Sequence, residues 1–156
     1  MTTGTSVDPG TAAELTDLVH QFAHLVDVEA GAGVAELFTE DGRFGFDDAE
    51  TIGRQAIAET YARRAGNGLR TARHLMTNLR LRWAGEDLVS GTSIMLIFAA
   101  DGPPPLPADP LLCADVDDEF RRVDGTWYLA RRTYRTIFAD PVRRALLPLS
   151  QNGKQT

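Results

Sequence analysis

The sequence predicts an α+β domain: three N-terminal helices packed on a strongly curved antiparallel sheet that narrows into a cone. Three observations predict it. Apolar residues recur at helical spacing through the first part of the chain, then give way to long β-like stretches separated by turn signals. Helices first and strands afterwards argue α+β rather than alternating α/β order. The length of 156 residues favours one domain with a real core. The expected layout is a flexible N-terminus over 1–10, a single domain over 11–149 and a polar tail over 150–156.

The first helix is read from Ala12 to Ala30, with Thr11 and Glu14 spaced as a capping box and Leu15, Leu18, Val19, Phe22, Leu25 and Val26 on one stripe. Gly31 and Gly33 break it. A short second helix is expected over Val34–Phe38, a short strand over Arg43–Phe46 and a third helix over Arg54–Ala65. Four long strands follow: Arg73–Trp83, Leu88–Ala100, Leu111–Val123 and Trp127–Phe138. Asp101–Pro110 holds five prolines and reads as a loop, Asp124-Gly125 is a hairpin signal, and Val142–Leu149 reads as a short terminal helix.

Composition narrows the function classes. A formal charge of −6 with scattered arginines gives no basic footprint for nucleic acid or an anionic membrane. Cys113 is the single cysteine, which excludes an internal disulfide and fits a reducing compartment; a buried structural thiol is expected. Residues 1–11 lack the basic and apolar regions of a signal peptide, and no apolar run is long enough to span a bilayer, so a cytoplasmic protein is expected.

The residues that carry chemistry are Asp27 in the first helix and Arg73-His74 in the first long strand. A carboxylate beside an imidazole fixes the ring's tautomer and stabilises its cation, and the second nitrogen then moves a proton. Each residue also has a plain structural reading. Asp27 falls with His20 and His24 on the helical wheel, off the centre of the apolar stripe, and His74 can be hydrogen-bonded within a sheet. Strand alternation sends Arg73 to the face opposite His74. It also puts Asn78 and Met76 on the face of His74, and Leu75, Thr77, Leu79, Leu81 and Trp83 on the other. Asn78 either binds a substrate oxygen or satisfies the sheet. His20, His24 and Asp27 lie on one helical face at a spacing open to metal, but an ordinary polar face is the expected reading. Asp115, Asp117 and Asp118 read as a solvated acidic cluster, while Phe22, Phe44, Tyr61, Met76, Leu96, Phe98, Tyr134 and Phe138 read as core or cone lining.

Taken in order, several short pieces resemble the SnoaL-like branch of the nuclear transport factor 2-like (NTF2-like) superfamily. They are Val26-Asp27, Leu37-Phe38-Thr39-Glu40-Asp41-Gly42, Ile52-Gly53-Arg54-Gln55-Ala56-Ile57, Arg73-His74 with Asn78, Asp118-Glu119-Phe120, and Asp124-Gly125-Thr126-Trp127 running to Arg131-Arg132. The pattern is nearest to scytalone-dehydratase-like proteins. Two positions depart from it: Val116 and the Phe22-Ala23-His24 run stand where tyrosines are common.

The resemblance implies an NTF2-like, cystatin-like cone and cofactor-free lyase or isomerase chemistry. The substrate class is a small oxygenated cyclic molecule, polyketide-, aromatic- or steroid-like. Asp27 and His74 are the implied acid/base pair, with His24, Asn78, Tyr61, Met76, Phe22, Phe44 and Tyr134 as expected substrate contacts. It also implies a homodimer or higher homo-oligomer through the outer sheet face; no metal, nucleic-acid or membrane partner is expected. The rival reading is a non-catalytic ligand-binding or assembly module resembling the β subunits of ring-hydroxylating dioxygenases.

Overall fold

The structure, a computed structural model, describes residues 4–144. Helix α1 spans Pro9–Val28 and buries Leu15, Leu18, Val19, Phe22 and Ala23, as the periodicity predicts. Its cap is Asp8, whose side chain accepts from the Thr11 N–H at 3.0 Å. Thr11 therefore does not serve as the cap of a capping box. Proline at the first helical position lets the helix begin earlier than expected. Helix α2 spans Arg54–Ala65, as expected.

Among the described residues these are the two helices of the N-terminal half, not three. The expected second helix is a single 3₁₀ turn, Ala35–Leu37, that runs directly into strand β1, Phe38–Phe46. Few residues separate Gly33, at φ 84°, from the paired strand, too few to meet the cost of nucleating an α-helix. Strand β1 turns back at Asp47, at φ 52°, into β2, Ala49–Ile52. The Asp47 carboxylate accepts from the Thr136 N–H and Oγ1–H at 2.8 and 2.9 Å.

Strands β3 (Arg70–Gly85), β4 (Leu88–Asp101), β5 (Leu112–Val123) and β6 (Thr126–Ala139) complete a six-stranded sheet in the order β2-β1-β6-β5-β4-β3. All neighbours are antiparallel except β1 and β6, which run parallel, so the sheet is mixed. The Asp124-Gly125 hairpin forms with both residues at positive φ, the conformation that a tight two-residue turn requires. The terminal helix α3 is described over Pro141–Arg144; the rest of the expected helix and the tail lie outside the described residues. The stretch before α1 is held to the sheet: Ser6 bridges Arg82, and the Trp83 N–H donates to the Thr5 carbonyl at 2.9 Å.

One residue reorganises the sheet's inner face. Pairing of β3 with β4 slips between Thr77 and Arg80, and Asn78 sits in this bulge at φ 56°. The extra residue reverses the alternation. Before the bulge Ala72, His74 and Met76 face inward; after it Leu79, Leu81 and Trp83 do. The expected grouping of Leu75 and Thr77 with Leu79 therefore fails, and both are exposed.

The core lies between this inner face and the two helices, and centres on Leu15, Phe22, Phe38, Ile57, Val89, Met95, Phe120 and Leu129. Phe138, expected inside, is 71% exposed. Leu96, Phe98 and Cys113 are half-buried on the outer face, so Cys113 is not a core thiol. No helix among the described residues is long and apolar enough to cross a membrane.

Candidate functional site

Asp27 and His74 meet, although 47 residues separate them in sequence. The Asp27 Oδ2 accepts the backbone N–H of His74 at 2.8 Å, and Oδ1 lies 2.6 Å from the ring Nδ1. Strand β3 is an edge strand, so an outward N–H has no ladder partner. The carboxylate at the end of α1 supplies one. Both side chains are largely withdrawn from water, at 9% and 13% exposure, without being sealed. A carboxylate accepts only, so Nδ1 carries the hydrogen and Nε2 remains as the nitrogen that takes or gives a proton. The two contacts fix the ring's position and its tautomer together.

Four aromatic rings pack together in the interior. Phe22 packs on Phe44 and Tyr61 at centroid separations of 6.0 and 6.4 Å, and Phe44 packs on Tyr134 at 5.9 Å. Met76, half-buried, follows His74 on the same face. These five are the expected contact residues that the fold gathers on the inner side. Gly31, at φ 88°, allows the chain after α1 to pass Tyr61 closely, since a Cβ there would stand 2.3 Å from its Cδ1.

Burial pushes the Tyr134 phenol up to about 12, against the pull of the Arg132 guanidinium. Burial, with Tyr134 adding to it, holds Tyr61 well above the ordinary value. Both phenols therefore stay neutral in the folded protein. Their contribution to stability is complete below the unfolded value of about 10 and is lost as pH rises through the folded one. In an alkaline titration, the phenolate absorbance of these two tyrosines is expected to appear together with loss of near-ultraviolet circular dichroism. Their ionisation at pH 10 in protein that remains folded would contradict the placement.

Two expectations for the site are corrected. Asn78 does not share the face of His74: the bulge turns it outward, where it lines a depression with Arg80, Thr92, Asp115 and Arg135. His24 is solvent-exposed on α1, and the fold does not bring it to the pair. The His20/His24/Asp27 series does not assemble, because both histidines face solvent while Asp27 turns inward to His74. Among the described residues no cluster of three or more His, Cys, Asp or Glu side chains could hold a metal ion.

The sequence reading missed the most buried charges. Arg132 is 0% exposed and Asp118 3%. They face each other across β5 and β6, and Asp118 accepts from Nε and Nη2 of Arg132, both at 2.7 Å. The guanidinium carbon lies 4.4 Å from the centroid of Phe22. Burial works against the charge, but the carboxylate outweighs it and holds the guanidinium above its ordinary pKa. The signal was present in the strand: Leu112, Ala114, Val116, Asp118 and Phe120 alternate with more exposed residues, which puts Asp118 on the inner face.

A family model described as a SnoaL-like domain matches residues 11–133. The chain belongs to the SnoaL-like family. Solved structures with this fold extend the likeness. One is a putative scytalone dehydratase from Novosphingobium aromaticivorans, 21% identical, with a TM-score of 0.72 over 84% of this chain and 87% of that one. Another is ActVI-ORFA from Streptomyces coelicolor, 23% identical, with a TM-score of 0.71 over 81% and 98% of the two chains. A third is a type 2 hexachlorocyclohexane dehydrochlorinase (LinA), 18% identical, with a TM-score of 0.70 over 85% and 88%. Other similar structures carry the descriptions NTF2-like and cystatin-like fold, in line with the expected architecture. No curated protein matches the chain.

Proposed function

We propose that this SnoaL-like protein is a cofactor-free lyase or isomerase acting by general acid–base catalysis on a small oxygenated cyclic substrate. The observation that carries this reading is the double contact of Asp27 with the ring and backbone of His74. His74 Nε2 removes a proton from a carbon beside a carbonyl, and Asp27 stabilises the resulting imidazolium. The proton returns to a leaving hydroxyl, giving dehydration, or to another carbon, giving isomerisation or cyclisation. Phe22, Phe44, Tyr61, Met76 and Tyr134 supply the walls against which an apolar ring packs. The dehydratase and dehydrochlorinase descriptions of similar structures support eliminations as the reaction class. The test is turnover of an identified substrate by His74→Ala and Asp27→Asn protein; full activity in both sinks the proposal.

We further propose that the outer sheet face joins two copies of the chain. Leu75, Leu96, Cys113 and Phe138 stand in one row across β3, β4, β5 and β6, and the two ends of the row, Leu75 and Phe138, are 46% and 71% exposed. An apolar row of this kind fits an interface better than open water. Sedimentation velocity is expected to show a dimer that Phe138→Glu converts to monomer. A monomeric wild-type chain at micromolar concentration would refute the interface.

A further inference from the structure

We propose that Arg64 binds a carboxylate carried by the substrate, so that the ring presented to His74 belongs to a cyclic carboxylic acid. This rests on the acid–base reading and adds the charged end of its substrate. Helix α2 turns one stripe inward: Ile57 is buried, Tyr61 packs on Phe22 and Phe44, and Arg64 follows at the next turn, half-buried. Spacing of i, i+4 and i+7 puts the three on one helix face. Arg63, the neighbour of Arg64, is exposed. The guanidinium of Arg64 has no hydrogen-bond or ion-pair partner among the described residues.

The stripe leads to the end of the interior where the His74–Asp27 pair sits. Helix α1 ends at Val28, directly after Asp27; α2 ends at Ala65, β3 begins at Arg70 and β4 ends at Asp101. Short contacts hold these ends together. Asp27 grips His74, the Gly102 N–H donates to the Leu69 carbonyl at 3.1 Å, and Thr71 Oγ1–H donates to the Gly102 carbonyl at 2.7 Å. Val28 and Leu69 are 58% and 66% exposed and give this end an apolar rim. Arg70 shares the strand parity of Ala72 and His74, so it lies on the inner face. Its Nε donates to Asp101 Oδ1 at 2.9 Å. Four residues of β3 carry the chain from Arg70 to His74, a distance of about 13 Å along the strand. A ring system with a short acidic arm spans such a gap.

The electrostatics of this end call for an anion. Burial first, and then the charge of Arg70, hold the Arg64 guanidinium below its ordinary pKa, and Asp101 opposes them. Arg64 is still a cation at neutral pH, because the ordinary value lies so far above it. A cation in the last turn of a helix is favoured by the helix dipole, but exposed Arg63 already meets that demand. The dipole does not require a half-buried guanidinium beside a like charge. Asp101 is held by Arg70, which leaves Arg64 without a carboxylate of its own. A substrate carboxylate supplies one, since its two oxygens accept parallel N–H bonds from the guanidinium fork. The nearby Asp101 carboxylate repels a second negative charge, so a monoanion fits better than a phosphate dianion. Tyr61, one turn deeper on the same helix face, then offers its ring to the apolar body of the substrate. Arg64 makes and breaks no covalent bond; it selects the substrate and fixes which end enters first.

The probes are 2-naphthylacetic acid and its amide, which match in shape and differ in charge, with binding read by calorimetry at neutral pH. Wild-type protein is expected to bind the acid at least about tenfold more tightly than the amide, a charge-assisted preference. Arg64→Gln is expected to bind both alike, with its affinity for the amide unchanged. Arg64→Met, which keeps the apolar stem, gives a second charge-free variant if the glutamine protein does not fold. Arg63→Gln removes the same charge one residue away and is expected to keep the preference. No preference for the acid in wild-type protein, including no binding of either probe, overturns the proposal. So does a preference retained in a folded, charge-free Arg64 variant, or one lost equally in Arg63→Gln. His74→Ala is expected to keep the preference, which separates the two readings. Failure of the acid–base reading leaves turnover intact in that variant, whereas failure of the carboxylate site leaves acid and amide bound alike by wild-type protein.

Discussion

Replacing His74 with alanine is expected to lower kcat/KM by about 10²- to 10⁴-fold, the range that a positioned general base contributes, while leaving the fold intact. The Asp27 carboxylate would still hold the backbone N–H of residue 74, so the junction of α1 with β3 survives. Asp27→Asn is the more informative change. An amide presents one oxygen and one NH₂ group where the carboxylate presents two acceptors. If its oxygen keeps the backbone N–H, its NH₂ faces Nδ1 and drives the ring to the other tautomer. Nε2 then carries a hydrogen and cannot take one. Loss of orientation by this route in a Ser-His-Asp triad costs about 10⁴-fold, and a comparable loss is expected here. Steady-state kinetics with a melting curve for each variant check both outcomes; a drop in activity explained by unfolding would not count in favour.

Asp118→Ala is expected to destabilise the protein by about 3–5 kcal/mol, the usual consequence of stranding a buried charge. Arg132 has no exposed surface through which to recover hydration. Against a typical total of about 5–15 kcal/mol, that is a large fraction of the stability. Joint replacement, Asp118→Leu with Arg132→Met, is expected to restore most of it, because well-packed apolar side chains often match a buried ion pair. Urea denaturation at constant m-value measures both. A cost below about 1 kcal/mol for Asp118→Ala, the range of exposed pairs, would mean that water reaches the guanidinium.

Where the sequence was a reliable guide, local rules and tertiary demands agreed. Helix α2 has its expected bounds, the Asp124-Gly125 turn set the β5–β6 hairpin, and the apolar stripe from Leu15 to Phe22 faces the core. Asp27 shows the limit of a wheel: a residue off the centre of the apolar stripe still turns inward when an edge strand offers an unpaired N–H. Asn78 shows a different limit. Strand alternation is dependable only while the register is unbroken, and one bulged residue inverted every inference drawn across it. The parallel pairing of β1 with β6 joins elements far apart in sequence, and no local pattern announces it. Asp118 was misread because neighbouring aspartates suggested a solvated cluster, whereas its position among alternating apolar residues placed it opposite Arg132.

The central claim, that His74 moves a proton at a carbon beside a carbonyl, is tested most directly by hydrogen exchange in D₂O. Proton NMR of 2-tetralone and similar cyclic ketones shown to bind follows deuterium entering the position next to the carbonyl. Saturable exchange above the solvent rate in wild-type protein, abolished in His74→Ala and Asp27→Asn, is the result that the acid–base account predicts. A bound ketone that exchanges no faster with wild-type protein than with His74→Ala would contradict it.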